Sequence, residues 1–126
     1  VALGEHLARH ASADLFLDTF PCNAHTTAND ALFAGLPLIT CSGETFASRV
    51  SGSQLRAIGL ADLVTASLAE YESLALGLAR DPDRMECYRS GLRLRRRTSP
   101  LFDTAGYTRA LESLLLAALE PARGPR

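Results

Sequence analysis

The stretch of this chain best equipped for chemistry is Pro21-Cys22-Asn23-Ala24-His25-Thr26-Thr27-Ala28-Asn29-Asp30. Small polar residues run there straight into a helical pattern. A helix start presents free N–H groups and partial positive charge, which suits a phosphate. Thr26 and Thr27 add hydroxyl donors at that point. Asp30 follows one turn after Thr26 on the same face, placed to accept hydrogen bonds from a ribose, as acidic residues do at nucleotide sites. Ser42-Gly43-Glu44-Thr45 precedes a second helical pattern and offers a second start of the same kind. Plainer roles suit the same residues: Thr26 and Thr27 as helix caps, His25 bonded to loop backbone, Gly43 as a turn residue, Asp30 and Arg56 as solvated helix charges. Two such starts after successive strands favour an anion site over either role alone.

Other chemistries find no support. Cys22 and His25 have C-x-x-H spacing, but no second pair completes four metal ligands, so no metal site is expected. Cys41 lies in an apolar run and reads as a buried small hydrophobe. There is no CxxC pair, GxGxxG, GxxxxGK[ST] or G-x-S-x-G. Arg95-Arg96-Arg97 reads as a solvated helix end.

With 126 residues the chain makes one domain. Its 47% apolar and 21% charged content is that of a folded protein. A net charge of −1 argues against a broad nucleic-acid surface. All 13 basic side chains are Arg, which excludes chemistry that needs a lysine amine. No apolar run is long enough to cross a bilayer, and no secretion signal is visible, so a cytoplasmic location is expected. The first residue is Val1, which suggests a piece of something longer.

Three near-continuous apolar runs, Asp14–Asp18, Pro37–Cys41 and Ala61–Thr65, suit parallel strands covered on both faces. Helices are predicted over 4–11 (apolar face Leu7 and Ala8), Thr26–Ala34, Phe46–Ile58, Leu68–Arg80, 82–96 and from Asp103 onward. Ser67 and Glu70 form a capping box, Gly35 and Gly59 are stop signals, and Pro82 takes a first helical position. On the fourth helix Leu68, Tyr71, Leu74, Ala75 and Leu78 share a face. On the last, Tyr107, Leu111, Leu114, Leu115 and Ala118 form a stripe. Residues 121–126 read as a frayed, disordered tail. The order α-β-α-β-α-β-α-α-α implies an α/β fold with a Rossmann-like parallel sheet and flanking helices. Three strands are few for such a sheet, so an edge is expected to be open. Ligands then bind beyond the carboxyl ends of the strands, where both polar helix starts lie.

Residues 13–60 resemble the end of the catalytic region of O-linked N-acetylglucosamine transferases, with the SPINDLY-type O-fucosyltransferases as a sister group. The resemblance rests on His25-Thr26-Thr27-x-x-Asp30, Ala34-Gly35-x-Pro37, Gly43-Glu44-Thr45 and Ala47-Ser48-Arg49-Val50. A weaker likeness continues through residues 69–114, so nearly the whole chain is covered. The run from Gly43 to Val50 is closer to the N-acetylglucosamine branch. The resemblance implies a GT-B glycosyltransferase with two Rossmann-like lobes, of which residues 1–120 would be the second half of the C-terminal, donor-binding lobe. It implies Thr26 and Thr27 on the donor pyrophosphate, His25 beside it, Asp30 on the ribose, and His6, with Arg9 nearby, next to the uracil and ribose.

The implied reaction is an inverting, metal-free transfer of N-acetylglucosamine from UDP to a Ser or Thr hydroxyl of an acceptor protein. Tetratricopeptide repeats would lie upstream. Two departures stand out. Ala24 replaces a glycine frequent in the family, which threatens to narrow the donor loop. The family's phosphate-contacting lysine and its general base have no counterpart in this chain. UDP and GDP donors both remain open. The competing expectation is a noncatalytic nucleotide-binding or interaction module that kept the fold. A chain truncated in this way is also expected to self-associate at the Asp14–Asp18 edge.

Overall fold

The structure is a computed structural model and describes residues 2–119; the tail expected over 121–126 lies outside the described residues. Six helices and three strands alternate in the expected order. They are α1 (Leu3–Arg9), β1 (Phe16–Leu17), α2 (Thr26–Ala34), β2 (Leu38–Cys41), α3 (Val50–Ala57), β3 (Val64–Thr65), α4 (Leu68–Ala79), α5 (Pro82–Arg95) and α6 (Thr104–Leu119). The strands pair in parallel in the order β1-β2-β3, with Phe16 opposite Leu38 and Cys41 opposite Thr65. All four residues of β2 are buried, as a central parallel strand requires. The core joins Leu38 and Ile39 of β2 to Leu32 of α2, Leu55 of α3, Leu78 of α4 and Leu92 of α5.

Several starts and stops follow from local chemistry. Gly35 takes φ 87°, and Leu36 N–H reaches back to the Ala31 carbonyl at 2.9 Å, closing α2 with a left-handed glycine. Ser67 Oγ accepts from Glu70 N–H at 3.2 Å, while Glu70 bonds Ala66 N–H rather than that of Ser67. Asp81 caps α5 ahead of Pro82. Asp103 Oδ1 accepts from Gly106 N–H at 2.9 Å and starts α6.

Some elements are shorter than expected. Strand β1 is only Phe16–Leu17; before it Asp14 pairs with Arg89 at 2.5 Å, and after it the Asp18 side chain turns to bond the loop. Residues Ala61–Leu63 form a 3-10 turn before β3. Residues His10–Ser12 form another after α1, and of its supposed apolar face Leu7 is half-buried while Ala8 is exposed. On α4, Tyr71, Leu74 and Ala75 pack on the core and Leu78 is buried, but Leu68 points outward. The stripe of α6 forms as a helix, yet the helix has no buried residue. Its apolar residues find no cover among the described residues.

The largest difference is at α3. The helical pattern starts at Phe46 in the sequence, but the helix starts at Val50. Thr45 and Ser48 hold the intervening turn by local bonds. Ser48 Oγ donates to the Thr45 carbonyl at 3.0 Å, Thr45 N–H donates to Ser48 Oγ at 3.1 Å, and Ser48 N–H reaches Thr45 Oγ1 at 3.3 Å. Hydroxyl side chains that bond nearby backbone compete with the helix in this way.

Candidate active site at the carboxyl rim of the sheet

The loop after β1 delivers the chain into α2, and it is held by its own residues, Thr19 Oγ1 donating to the Cys22 carbonyl at 2.6 Å, and by its neighbours. Asp18, at the end of β1, is 6% exposed. A carboxylate that deep needs a hydrogen bond at each oxygen. Its Oδ1 accepts from Thr19 N–H at 2.9 Å and Ala24 N–H at 2.7 Å, and its Oδ2 accepts from Thr40 Oγ1 at 2.6 Å. Its backbone carbonyl accepts from the Tyr71 hydroxyl at 2.9 Å. Burial, and then the charges of Asp18 and Cys41, push the Tyr71 pKa up to about 12, so this hydroxyl stays protonated and donating at neutral pH.

The loop backbone is tied from three further sides. Asn23 N–H donates to the Ala47 carbonyl at 2.9 Å. Asn23 Nδ2 reaches the carbonyls of Thr19 and Cys41 at 2.9 and 3.4 Å. From α3, Ser51 Oγ donates to the Ala24 carbonyl at 2.7 Å and Gln54 Nε2 to the His25 carbonyl at 3.0 Å. The Ala24 methyl packs against the core, so it leaves the face of the loop clear. Asp18, Asn23, Ser51 and Gln54 were not singled out from the sequence. A usable signal was there for Asp18: an acid closing an apolar strand must be paired.

This bracing presents an open helix start. His25 is the N-cap residue of α2 and makes no side-chain cap. Its carbonyl accepts from Asn29 N–H at 3.2 Å, the first bond of the helix. Thr26 and Thr27 are exposed, and neither hydroxyl caps the helix. The His25 ring is exposed and meets Phe46 edge-on, with centroids 6.1 Å apart. One turn along α2, Asp30 Oδ2 lies 3.2 Å from His6 Nε2. His6 also meets His10 edge-on at 5.2 Å. Arg9 is exposed and lines a cavity of about 270 Å³ together with His6, His10 and Phe16. The structure thus joins His6 to Asp30 directly, aligns His25, Thr26 and Thr27 along one helix start, and puts Arg9 beside His6 without an ion pair to Asp30.

The second helix start is occupied by its own chain. Gly43 N–H donates to the Ser48 carbonyl at 2.9 Å. Arg49 folds back, its Nε donating to the Gly43 carbonyl at 3.3 Å and its Nη2 to that of Glu44. A Cβ on Gly43 would stand 2.5 Å from Ser48 Oγ, so only glycine fits. Beside this turn an open cleft of about 520 Å³ runs from Phe20 and Pro21 to Ser67 and Leu68. Among the described residues, no three His, Cys, Asp or Glu side chains gather as metal ligands.

Comparison with known proteins agrees with this geometry. Residues 1–111 match the model of glycosyl transferase family 41. The chain is 44% identical over 109 residues to the probable UDP-N-acetylglucosamine–peptide N-acetylglucosaminyltransferase SEC of Arabidopsis thaliana, covering 86% of this chain and 11% of that protein. It is 42% identical over 111 residues to the UDP-N-acetylglucosamine–peptide N-acetylglucosaminyltransferase of Caenorhabditis elegans, covering 88% of this chain and 10% of that one. The probable UDP-N-acetylglucosamine–peptide N-acetylglucosaminyltransferase SPINDLY of Hordeum vulgare is 39% identical over 109 residues, covering 86% of this chain and 12% of that protein. In three dimensions the chain superposes on a mutant O-GlcNAc transferase of Thermobaculum terrenum with TM-score 0.79 at 32% identity, covering 94% of this chain and 24% of that one. The fold is therefore the α/β, parallel-sheet arrangement of a GT-B glycosyltransferase, and this chain spans only about a tenth of the length of the curated relatives. On the match of residues 1–111, the chain belongs to glycosyl transferase family 41.

Proposed function

We propose that residues 1–120 form part of the donor-binding, C-terminal lobe of an inverting glycosyltransferase that moves N-acetylglucosamine from UDP to Ser or Thr hydroxyls of cytoplasmic proteins. The observation that carries the reading is the open start of α2, where Thr26 and Thr27 stand exposed and uncapped next to the paired His6 and Asp30. Thr26 and Thr27 bind the pyrophosphate with their hydroxyls and backbone N–H groups, and His25 sits beside it. Asp30 takes the ribose, and His6, with Arg9 close by, borders the ribose and uracil.

Transfer proceeds by attack of the acceptor hydroxyl on the anomeric carbon as UDP departs. Negative charge grows on the leaving diphosphate, and preorganised donors lower the barrier there without a metal. The general base and the acceptor-binding surface belong to the rest of the protein, behind upstream tetratricopeptide repeats. UDP is favoured over GDP because the relatives at 44%, 42% and 39% identity are all named for UDP-N-acetylglucosamine.

Calorimetry of UDP binding tests this reading. In the full-length protein, Thr26→Ala with Thr27→Ala should weaken UDP at least tenfold, since each lost bond to a charged phosphate costs about 1.5–3 kcal/mol. Unchanged affinity would remove the assignment. The 126-residue chain by itself should transfer no sugar, because catalysis needs both substrates held in near-attack geometry. Glycosylation of a peptide by this chain alone would overturn its place as a part of the enzyme.

Taken by itself, the chain should also self-associate through β1 or α1. The N–H groups of Phe16 and Asp18 go to the carbonyls of Pro37 and Ile39 at 2.8 and 3.1 Å, so those of Leu15 and Leu17 face the other edge. Open edges invite pairing with another chain, and Leu3 and Leu17 are 69% and 57% exposed beside this one. Light scattering across a concentration series should show growth in mass. A persistent monomer with exchange-protected Leu15 and Leu17 amides would refute it.

A further inference from the structure

Among the described residues Asp18 is the one buried carboxylate, and the proposed reaction leaves it no contact with the donor. Its position says what it does. The segment between β1 and α2 has eight residues, 18–25, opens with Asp18 itself, and must turn sharply to aim α2 at the rim. Asp18 Oδ1 bonds both ends of that turn at once, through Thr19 N–H at 2.9 Å and Ala24 N–H at 2.7 Å. Ala24 is two residues before Thr26. The other oxygen is fixed by Thr40 Oγ1 at 2.6 Å, on the neighbouring strand, and the carbonyl by Tyr71 at 2.9 Å, on α4. Thr40 is itself rigid, because it is fully buried and its carbonyl accepts from Thr65 Oγ1 at 3.0 Å. The turn, β2 and α4 thereby converge on one residue, whose side chain spans the turn.

Resting on the donor-site reading above, we infer that Asp18 is the positioning residue of the diphosphate subsite: it sets where the first N–H groups and hydroxyls of α2 stand, without touching the ligand. A fixed array of donors binds a diphosphate well only while its spacing is held, so loosening the turn costs phosphate affinity. His6 and Asp30 are held by the contact of α1 with α2, so the nucleoside end depends less on this turn. The role is geometric, not electrostatic. A buried negative charge near a diphosphate repels it, so removing the charge while keeping a hydrogen-bonding side chain should be tolerated.

The test compares UDP with uridine in the full-length protein, by calorimetry and by ligand-observed NMR. Asp18→Ala should weaken UDP at least tenfold and leave uridine within about twofold, so that the ratio of the two affinities collapses. Asp18→Asn keeps an acceptor for Thr19 and Ala24 and should restore most of the ratio. Leu92→Ala, a core change away from the rim, should lower the melting temperature while leaving the ratio intact. If Asp18→Ala fails to fold, Thr40→Val removes a single bond to Asp18 and should lower the ratio two- to fivefold.

The inference falls if Asp18→Ala, or Thr40→Val in its place, keeps the wild-type ratio. It also falls if uridine and UDP weaken equally, as general loosening would produce. Thr26→Ala with Thr27→Ala separates the two levels. If that pair weakens UDP and Asp18→Ala does not, only the positioning role is wrong; if that pair has no effect, the donor-site reading is wrong.

Discussion

Two helix starts follow successive parallel strands at the same rim, and they have opposite fates. At α2, the N-cap residue His25 makes no side-chain cap and the next two residues are exposed hydroxyls. At α3, the turn over Thr45–Arg49 consumes its own donors, with Ser48 2% exposed and Arg49 folded onto the carbonyls of Gly43 and Glu44. Their sequences look alike: small polar residues, then a helical pattern. The difference lies in which segment satisfies the loop. The turn before α2 is held by its own Thr19 and Asn23 and, from outside, by Asp18, Ser51 and Gln54, and none of these bonds takes an N–H of the helix start. The turn before α3 is bonded from within. It acts as structure, and α3 in turn supplies two of the bonds that brace the first loop.

The most direct way to break this contrast is a pair of double substitutions. Thr26→Ala with Thr27→Ala should cost UDP affinity at least tenfold while leaving the melting temperature almost unmoved, because both residues are exposed. Thr45→Ala with Ser48→Ala should lower unfolding free energy by about 1–3 kcal/mol, as the turn around the buried Ser48 loses its hydrogen bonds. Its effect on UDP should be the smaller of the two. Chemical denaturation and calorimetry on the wild type and the two double variants decide it. If the second pair costs more UDP affinity than the first, the α3 start is the anion site.

A single methyl probes the closed start more narrowly. Gly43→Ala places a carbon 2.5 Å from Ser48 Oγ and 2.9 Å from Ser48 Cβ. Crowding of this kind costs about 1–3 kcal/mol. Ala at Gly43 combined with Ser48→Gly should recover part of that loss, since the clashing atoms are gone. Denaturant midpoints that show no loss for Gly43→Ala would mean that the turn is looser than the geometry requires.

The strands and most helices were legible because burial and local signals agreed. The four residues of β2 are apolar or small and all buried, and Gly35, Pro82 and Asp81 mark helix ends where the sequence places them. The polar helix start pointed to Thr26, Thr27 and Asp30, and the family resemblance assigned them, with His25, to the donor. Two things escaped. Periodicity carried α3 back to Phe46, since the hydrogen bonds of Thr45 and Ser48 that stop it there leave no mark in apolar spacing. The bracing of the first loop escaped because its partners lie 22 to 53 residues apart in the chain, as with Asp18 to Thr40 and Asp18 to Tyr71. The stripe on α6 was readable as a helix, but whether a helix face is covered depends on what packs against it.

The mildest test concerns the outermost brace. Tyr71 is half-buried and donates to the Asp18 carbonyl at 2.9 Å. Tyr71→Phe should cost about 1 kcal/mol near neutral pH, the ordinary net value of one hydrogen bond. The alkaline behaviour is more specific. Burial and the nearby charges of Asp18 and Cys41 raise its pKa from 10.0 to about 12 in the folded state. A group whose folded value is raised favours the folded state fully below its unfolded value and loses that advantage as pH climbs through the folded one. The stability gap between wild type and Tyr71→Phe should therefore hold up to about pH 10 and close as pH approaches 12. Urea midpoints of the two proteins at pH 8 and pH 11 measure it, with the α2 start untouched in both. A gap that is the same at both pH values would place the Tyr71 hydroxyl in solvent, and one tie of the loop beneath α2 would have to be given up.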